Sequence, residues 1–175
     1  VFDLKLEWTA SAAELSALQK WTVSSRFEGL GLSALGPVPG MAGVNGHVNG
    51  NEKGGTLVLD GQKTVFELPT IFADPKLELE AFAAEADWRL ANDGLQVRLQ
   101  KAAFHNRDAA GEASGTWRPL EKGPGQIDLQ ARITRGSGDA VWRYMPLVVG
   151  KNVREWLRGA IVGGKASDTT LKLRG

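Results

Sequence analysis

The stretch KLELEAFAAEADWRLANDGLQVRLQ, residues 76–100, decides the fold class. Leu77, Leu79 and Ala81 alternate with charged or small residues. Phe82, Ala84, Ala86, Trp88 and Leu90 then continue the alternation with the opposite parity. A period of two is the signature of a strand with one packed and one wet face, and a bulge or turn near Ala83 reconciles the two parities. Asn92, Asp93 and Gly94 are turn formers, and beyond them Leu95, Val97 and Leu99 alternate with Gln96, Arg98 and Gln100 as a second half-buried strand.

Working upstream, Thr56 and Val58 precede Asp60 and Gly61 and the run 63–68, which predicts a hairpin closed by a two-residue type I′ turn. In MAGVNGHVNG, residues 41–50, Met41, Val44 and Val48 are separated by glycines, which predict turns and bulges, and the preceding GPVPG is a breaker. Residues 23–32 and 1–8 read as strands, with a short helix from a Thr9 or Ser11 cap to Lys20 between them. Downstream, residues 110–117 and 126–134 read as strands, the latter placing Ile127, Leu129, Ala131 and Ile133 on one side after a GPG turn at 123–125.

The end of the chain differs. In residues 142–165, Val153, Trp156, Leu157, Ala160 and Ile161 recur at helical spacing and form a stripe that can be buried. Pro146 divides this block into two short helices, and Gly163 and Gly164 stop the second. Thr169, Leu171 and Leu173 then alternate with Thr170, Lys172 and Arg174 as a closing strand. Short strands separated by turns rather than helices make an antiparallel meander, not a βαβ array. Periodicity alone leaves a barrel, a sandwich and a curved open sheet as possible closures.

The 175 residues are enough for one domain with a sizeable core, and no composition break divides residues 1–175. The net charge of +1 conceals a division: residues 1–140 carry 14 basic and 18 acidic side chains, and residues 141–175 carry 7 and 2. A basic end of this kind faces solvent, phosphate or lipid headgroups; nucleic acid is not expected as a partner. Without cysteine there is no disulfide framework or thiolate chemistry. No apolar run approaches the roughly 20 residues of a membrane span. The opening VFDLKLEW is not a signal peptide, and the missing initiator Met suggests a piece of a longer protein.

Catalytic chemistry finds little support. His47 and His105 are the two histidines, neither in a metal-ligand spacing, so no metal or other cofactor is expected. Asp108 and Glu112 could bring carboxylates near His105, yet no nucleophile or oxyanion site accompanies them. Ser24, Ser25 and Ser33 lack an elbow motif, and the glycines of residues 43–55 lack the GKS or GKT of a phosphate loop. The expectation is a protein that is not an enzyme. Of six tryptophans, Trp8, Trp21, Trp88 and Trp117 suit strand cores or rims. Trp142, Tyr144 and Trp156 stand among Arg143, Lys151, Arg154 and Arg158, a candidate interfacial cap.

The segments GVNGHVNGNEKGGTLVLDG and VWRYMPLVVGKNVREWLRGAIVGGKASDTTLKLRG resemble the DUF3971 region of the YhdP family, large AsmA-like bacterial envelope proteins. The order YMPL, then VREWLRGAIVGGK, then a strand ending LRG is the most specific part, and the likeness extends over nearly the whole chain. Where many relatives resemble a YLP pattern, this chain has Tyr144, Met145 and Pro146. The resemblance implies a mainly β fold, a curved antiparallel sheet forming one section of an open periplasmic groove, with short helices near the C-terminal end. It implies an inner-membrane anchor elsewhere in the protein and phospholipid transport toward the outer membrane, without catalytic residues. Phospholipid acyl chains, adjoining β-groove segments and other envelope proteins are the implied partners.

An open sheet of this kind can present apolar side chains to acyl chains while its polar side meets water. Leu77, Leu79, Phe82, Trp88, Leu95, Val97, Leu99, Ile127, Leu129 and Ile133 are the candidate groove positions. A carbohydrate-binding β-module and a non-catalytic envelope scaffold or protein-interaction section are the alternatives.

Overall fold

A computed structural model describes residues 3–9, 20–36, 38–91, 94–120 and 125–175. Its strands are β1 (Asp3–Thr9), β2 (Lys20–Leu32), β3 (Gly40–Asn51), β4 (Gly54–Glu67), β5 (Lys76–Ala91), β6 (Gly94–His105), β7 (Ala109–Arg118) and β8 (Gln126–Ser137). A 3₁₀ helix (Gly138–Tyr144), helix α1 (Lys151–Ala160) and the strands β9 (Lys165–Ala166) and β10 (Thr169–Arg174) follow. The helix expected before Lys20 falls on residues 10–19, outside the described residues.

All neighbouring strands are antiparallel and lie in chain order from β1 to β8, and β10 and β9 both pair with the outer side of β8, β9 at its C-terminal end. Among the described residues no pair joins β1 to β10, so the sheet is curved and open, neither a barrel nor a sandwich. An open sheet has no second layer to enclose its apolar side chains. Accordingly Phe27, Val44, Leu79 and Ala140 are the buried hydrophobic residues among those described, while most other apolar strand residues are half-buried.

Three local expectations are corrected. Asp60 and Gly61 do not turn the chain: β4 runs straight through them for 14 residues. A type I′ turn needs positive φ at both central residues, and in this region the left-handed residue is Lys63, at φ 55°. The reversal lies earlier, where the Asn51 side-chain oxygen accepts hydrogen bonds from the amides of Lys53 (2.8 Å) and Gly54 (3.2 Å) and joins β3 to β4. Residues 41–50 likewise form no turns. They lie within β3, which carries a bulge at Gly43 (φ 74°). The parity change expected near Ala83 comes between Ala81 and Phe82, within one unbroken 16-residue strand.

At the helical end, Pro146 separates two helices as expected, because it cannot donate to a continuous helical ladder. Helix α1 stops at Ala160, three residues before Gly163. Its apolar stripe is not buried: no residue of α1 is buried, and Val153 and Trp156 are 48% and 66% exposed. Instead of packing on the sheet, α1 packs chiefly against the 3₁₀ helix.

Candidate functional site

Cross-strand partners share a face, so the register assigns side chains to the two sides of the sheet. On one side, successive strands align in rows that run across the strands. Gly55, Trp88, Val97, Trp117 and Ile127 form one row. Leu57, Ala86, Leu99, Gly115, Leu129 and Leu173 form the next. Leu59, Ala84, Ala102, Ala113, Ala131 and Leu171 form a third, and Phe82, Phe104, Gly111 and Ile133 a fourth. Ala84, Ala102, Ala113 and Ala131 therefore make a low lane between a leucine-rich row and a row headed by Phe82 and Phe104. Leu99 and Ala102, three residues apart, share this face because the β5–β6 and β6–β7 registers shift around Gln100 and Lys101.

Glycines on this face give room to neighbouring side chains. A β-carbon on Gly46 would stand 3.0 Å from Leu59 Cδ2 and 3.1 Å from Phe27 Cζ, and one on Gly50 or Gly55 would collide with the Trp88 ring. Trp88 lies over these two glycines with its indole N–H directed to the Asn51 carbonyl at 3.4 Å. The opposite side of the sheet is polar. Gln100 donates to Asp87 at 2.7 Å, Lys101 pairs with Glu112 at 3.3 Å, and Arg174 pairs with Asp128 at 3.1 Å across its strands.

Of the ten candidate groove positions, Phe82, Trp88, Leu95, Val97, Leu99, Ile127, Leu129 and Ile133 share the apolar face through this register. Leu77 and Leu79 have the opposite parity along β5, but the burial alternation switches between Ala81 and Phe82. Leu77 pairs with Phe66, whose ring meets that of Phe82 edge-on at 4.9 Å, so the kink returns both leucines to the same side. In the neighbouring strand the left-handed Lys63 brings Thr64 to the face of Gly61, where its hydroxyl donates to the Gly43 carbonyl at 3.4 Å. Thr64 is fully buried.

The cap residues divide into an anchored and an exposed set. The Tyr144 hydroxyl donates to Asp108 Oδ2 at 3.1 Å and accepts from Asn106 Nδ2 at 3.0 Å. Burial, chiefly, together with the Asp108 carboxylate pushes the Tyr144 phenol above its ordinary pKa of 10.0, against the opposing effect of the Asn106 hydrogen bond. Arg143 pairs with Asp108 at 3.2 Å, and the Arg158 guanidinium lies 4.7 Å from the centre of the Trp142 ring. Arg154 donates to the carbonyls of Leu147 and Val149. Lys151 is exposed beside Glu155 at 3.5 Å, and Trp156 projects into solvent. Phe72 bridges to Pro146, and the Leu147 amide donates to the Ile71 carbonyl at 2.8 Å, so the loop between β4 and β5 is tied to the cap.

Sequence reasoning missed Asn106, which organises this end. Its side-chain oxygen accepts from the amides of Asp108 (3.0 Å) and Ala109 (2.7 Å), while Nδ2 reaches the Glu78 carbonyl at 3.3 Å. The signal is present in HNRDAA, where an Asn followed two residues later by an Asp between strands marks a side-chain-closed turn. His105, Asp108 and Glu112 do not converge: His105 pairs with Glu80 at 3.0 Å, and Glu112 with Lys101. Among the described residues there is no group of three or more His, Cys, Asp or Glu side chains that could hold a metal ion. No helix among them is long and apolar enough to cross a membrane.

The family model described as YhdP protein matches residues 1–175. Over 170 residues the chain is 27% identical to a protein of Escherichia coli (strain K12) described as "Intermembrane phospholipid transporter YhdP". That match covers 95% of this chain and 13% of the relative, so the chain spans only a small part of the curated relative's length. No solved structure matches significantly.

Proposed function

We infer a lipid-carrying role from one premise: this chain belongs to the YhdP protein family. In this reading it is a section of a periplasmic groove in an inner-membrane-anchored envelope protein, and the groove supports phospholipid movement between the two membranes. The relative described as an intermembrane phospholipid transporter supports the cargo. The observation that carries the reading is the uncovered apolar face, four rows wide and continuous from β4 to β8. A face of this extent left without a second layer marks a binding surface. Burying an acyl chain on it gains about 0.8 kcal/mol per CH₂ group, with no bond made or broken. The ten candidate positions line this face, and the edge strands β1 and β10 join it to adjoining sections of the same protein.

Retention of phospholipid tests the reading. The folded chain, mixed with bacterial phospholipids and examined by native mass spectrometry, is expected to keep stoichiometric lipid. Leu99→Glu or Leu129→Glu places a carboxylate in the apolar rows and should lower retention at least about tenfold, because an unpaired charge is costly beside an acyl chain. Gln130→Glu, on the polar side, should leave it unchanged. A folded chain that retains no lipid would refute lipid binding by this section and favour a scaffold role.

A further inference from the structure

At the end of the sheet where β4 passes into β5, a cavity of about 640 Å³ lies among the strands, the loop at Phe72 and the capping segment at Tyr144. Its volume falls in the roughly 300–1,000 Å³ range of small-molecule sites. Leu77, Leu79 and Phe72 give it an apolar side that continues onto the face shared with Phe82. Most of the remaining lining is charged, in both signs. Asp108 is taken up by Arg143 and Arg107, Lys76 by Glu67, and Glu80 by His105. Lys63, Asp74 and Glu78 also line the cavity, and among the described residues none of their side chains has an ion-pair partner. Lys63 holds a left-handed backbone conformation that a non-glycine residue adopts at a cost and that is often found at functional sites.

We propose that this cavity seats the headgroup of a zwitterionic phospholipid, with the phosphate at Lys63, the ammonium at Asp74 and Glu78, and the acyl chains running out past Leu77. The inference rests on the lipid-carrying reading and adds a headgroup class and a position to it. One uncommitted cation with two uncommitted carboxylates complements a headgroup that carries both charges. A purely anionic headgroup would meet two carboxylates without compensation. The apolar side selects an amphiphile over a soluble phosphodiester.

The test offers the chain equimolar phosphatidylethanolamine and phosphatidylglycerol in mixed micelles and reads the retained lipid by native mass spectrometry. The expected result is a preference for phosphatidylethanolamine of at least about threefold. Lys63→Asn keeps a residue that tolerates the left-handed backbone and removes the cation, so retention of phosphatidylethanolamine should fall about tenfold. Asp74→Asn with Glu78→Gln should abolish the preference while total retention persists. Lys172→Gln, on the polar side of β10, should change neither. Retention of both lipids without preference, unaffected by these substitutions, would overturn the headgroup site and leave the groove reading standing. Retention of neither lipid would overturn both. Displacement by an equal concentration of glycerophosphoethanolamine would overturn the lipid as the source of the headgroup.

Discussion

Trp88 depends on what its neighbours lack. Its ring occupies the space that β-carbons on Gly50 and Gly55 would take. Gly55→Val should therefore destabilise the sheet by about 1–3 kcal/mol, the usual cost of overpacking, measured by urea unfolding. Tyr144 supplies a second residue-level test. Its pKa is raised in the folded chain, so it favours folding fully below pH 10 and that contribution is lost as pH rises through the folded value. It is the single tyrosine of the chain, so absorbance of the phenolate should report one transition above pH 10.0 that moves down to the ordinary value on unfolding. At this scale the sequence misled where glycine was concerned. Glycine marks both a turn and a close approach between strands, and only the side chain lying over it, Trp88 for Gly50 and Gly55, tells the two apart.

Among elements, α1 is held from one side. Arg158 stacks over Trp142, and an exposed cation–π contact contributes roughly 0.5–1 kcal/mol. Arg158→Ala should speed amide hydrogen exchange in α1 by about two- to fivefold. Gly159→Ala should slow it to a similar degree: Gly159 has open space around it, and alanine gains roughly 0.8–1.0 kcal/mol over glycine inside a helix. The elements that could be read directly, β6, β8 and β10, are those in which leucine, valine and isoleucine alternate cleanly with polar residues. β3 and β4 could not, because their bulges at Gly43 and Lys63 break the period and a break in period resembles a turn. The stripe on α1 was legible as a pattern, but not as an exposed face, since amphipathicity does not name what covers it.

For the molecule as a whole, the absence of a second layer among the described residues has a thermodynamic signature. A chain that encloses few apolar side chains exposes less new surface on unfolding, so its urea m-value should be below that of a closed domain of 175 residues. A fluorescent apolar dye should bind the native state, and Leu99→Glu should weaken that binding. The shared face of Trp88, Val97 and Ile127 could be anticipated from parity. That it stays open could not, because a barrel interior has the same alternation, and the distinction lies in whether anything pairs β1 with β10.

The alanine lane crosses the strands instead of following one. Any chain lying in Ala84, Ala102, Ala113 and Ala131 advances by one strand spacing, about 4.8 Å, at each residue. Distance along the lane is thus counted in strands, and a hairpin inserted or deleted changes it by about 10 Å without altering its width. Every position is also met in series. On the lipid-carrying reading proposed above, a bulky substitution at Ala113 blocks an acyl chain at one fixed place and leaves the stretches on either side able to fill.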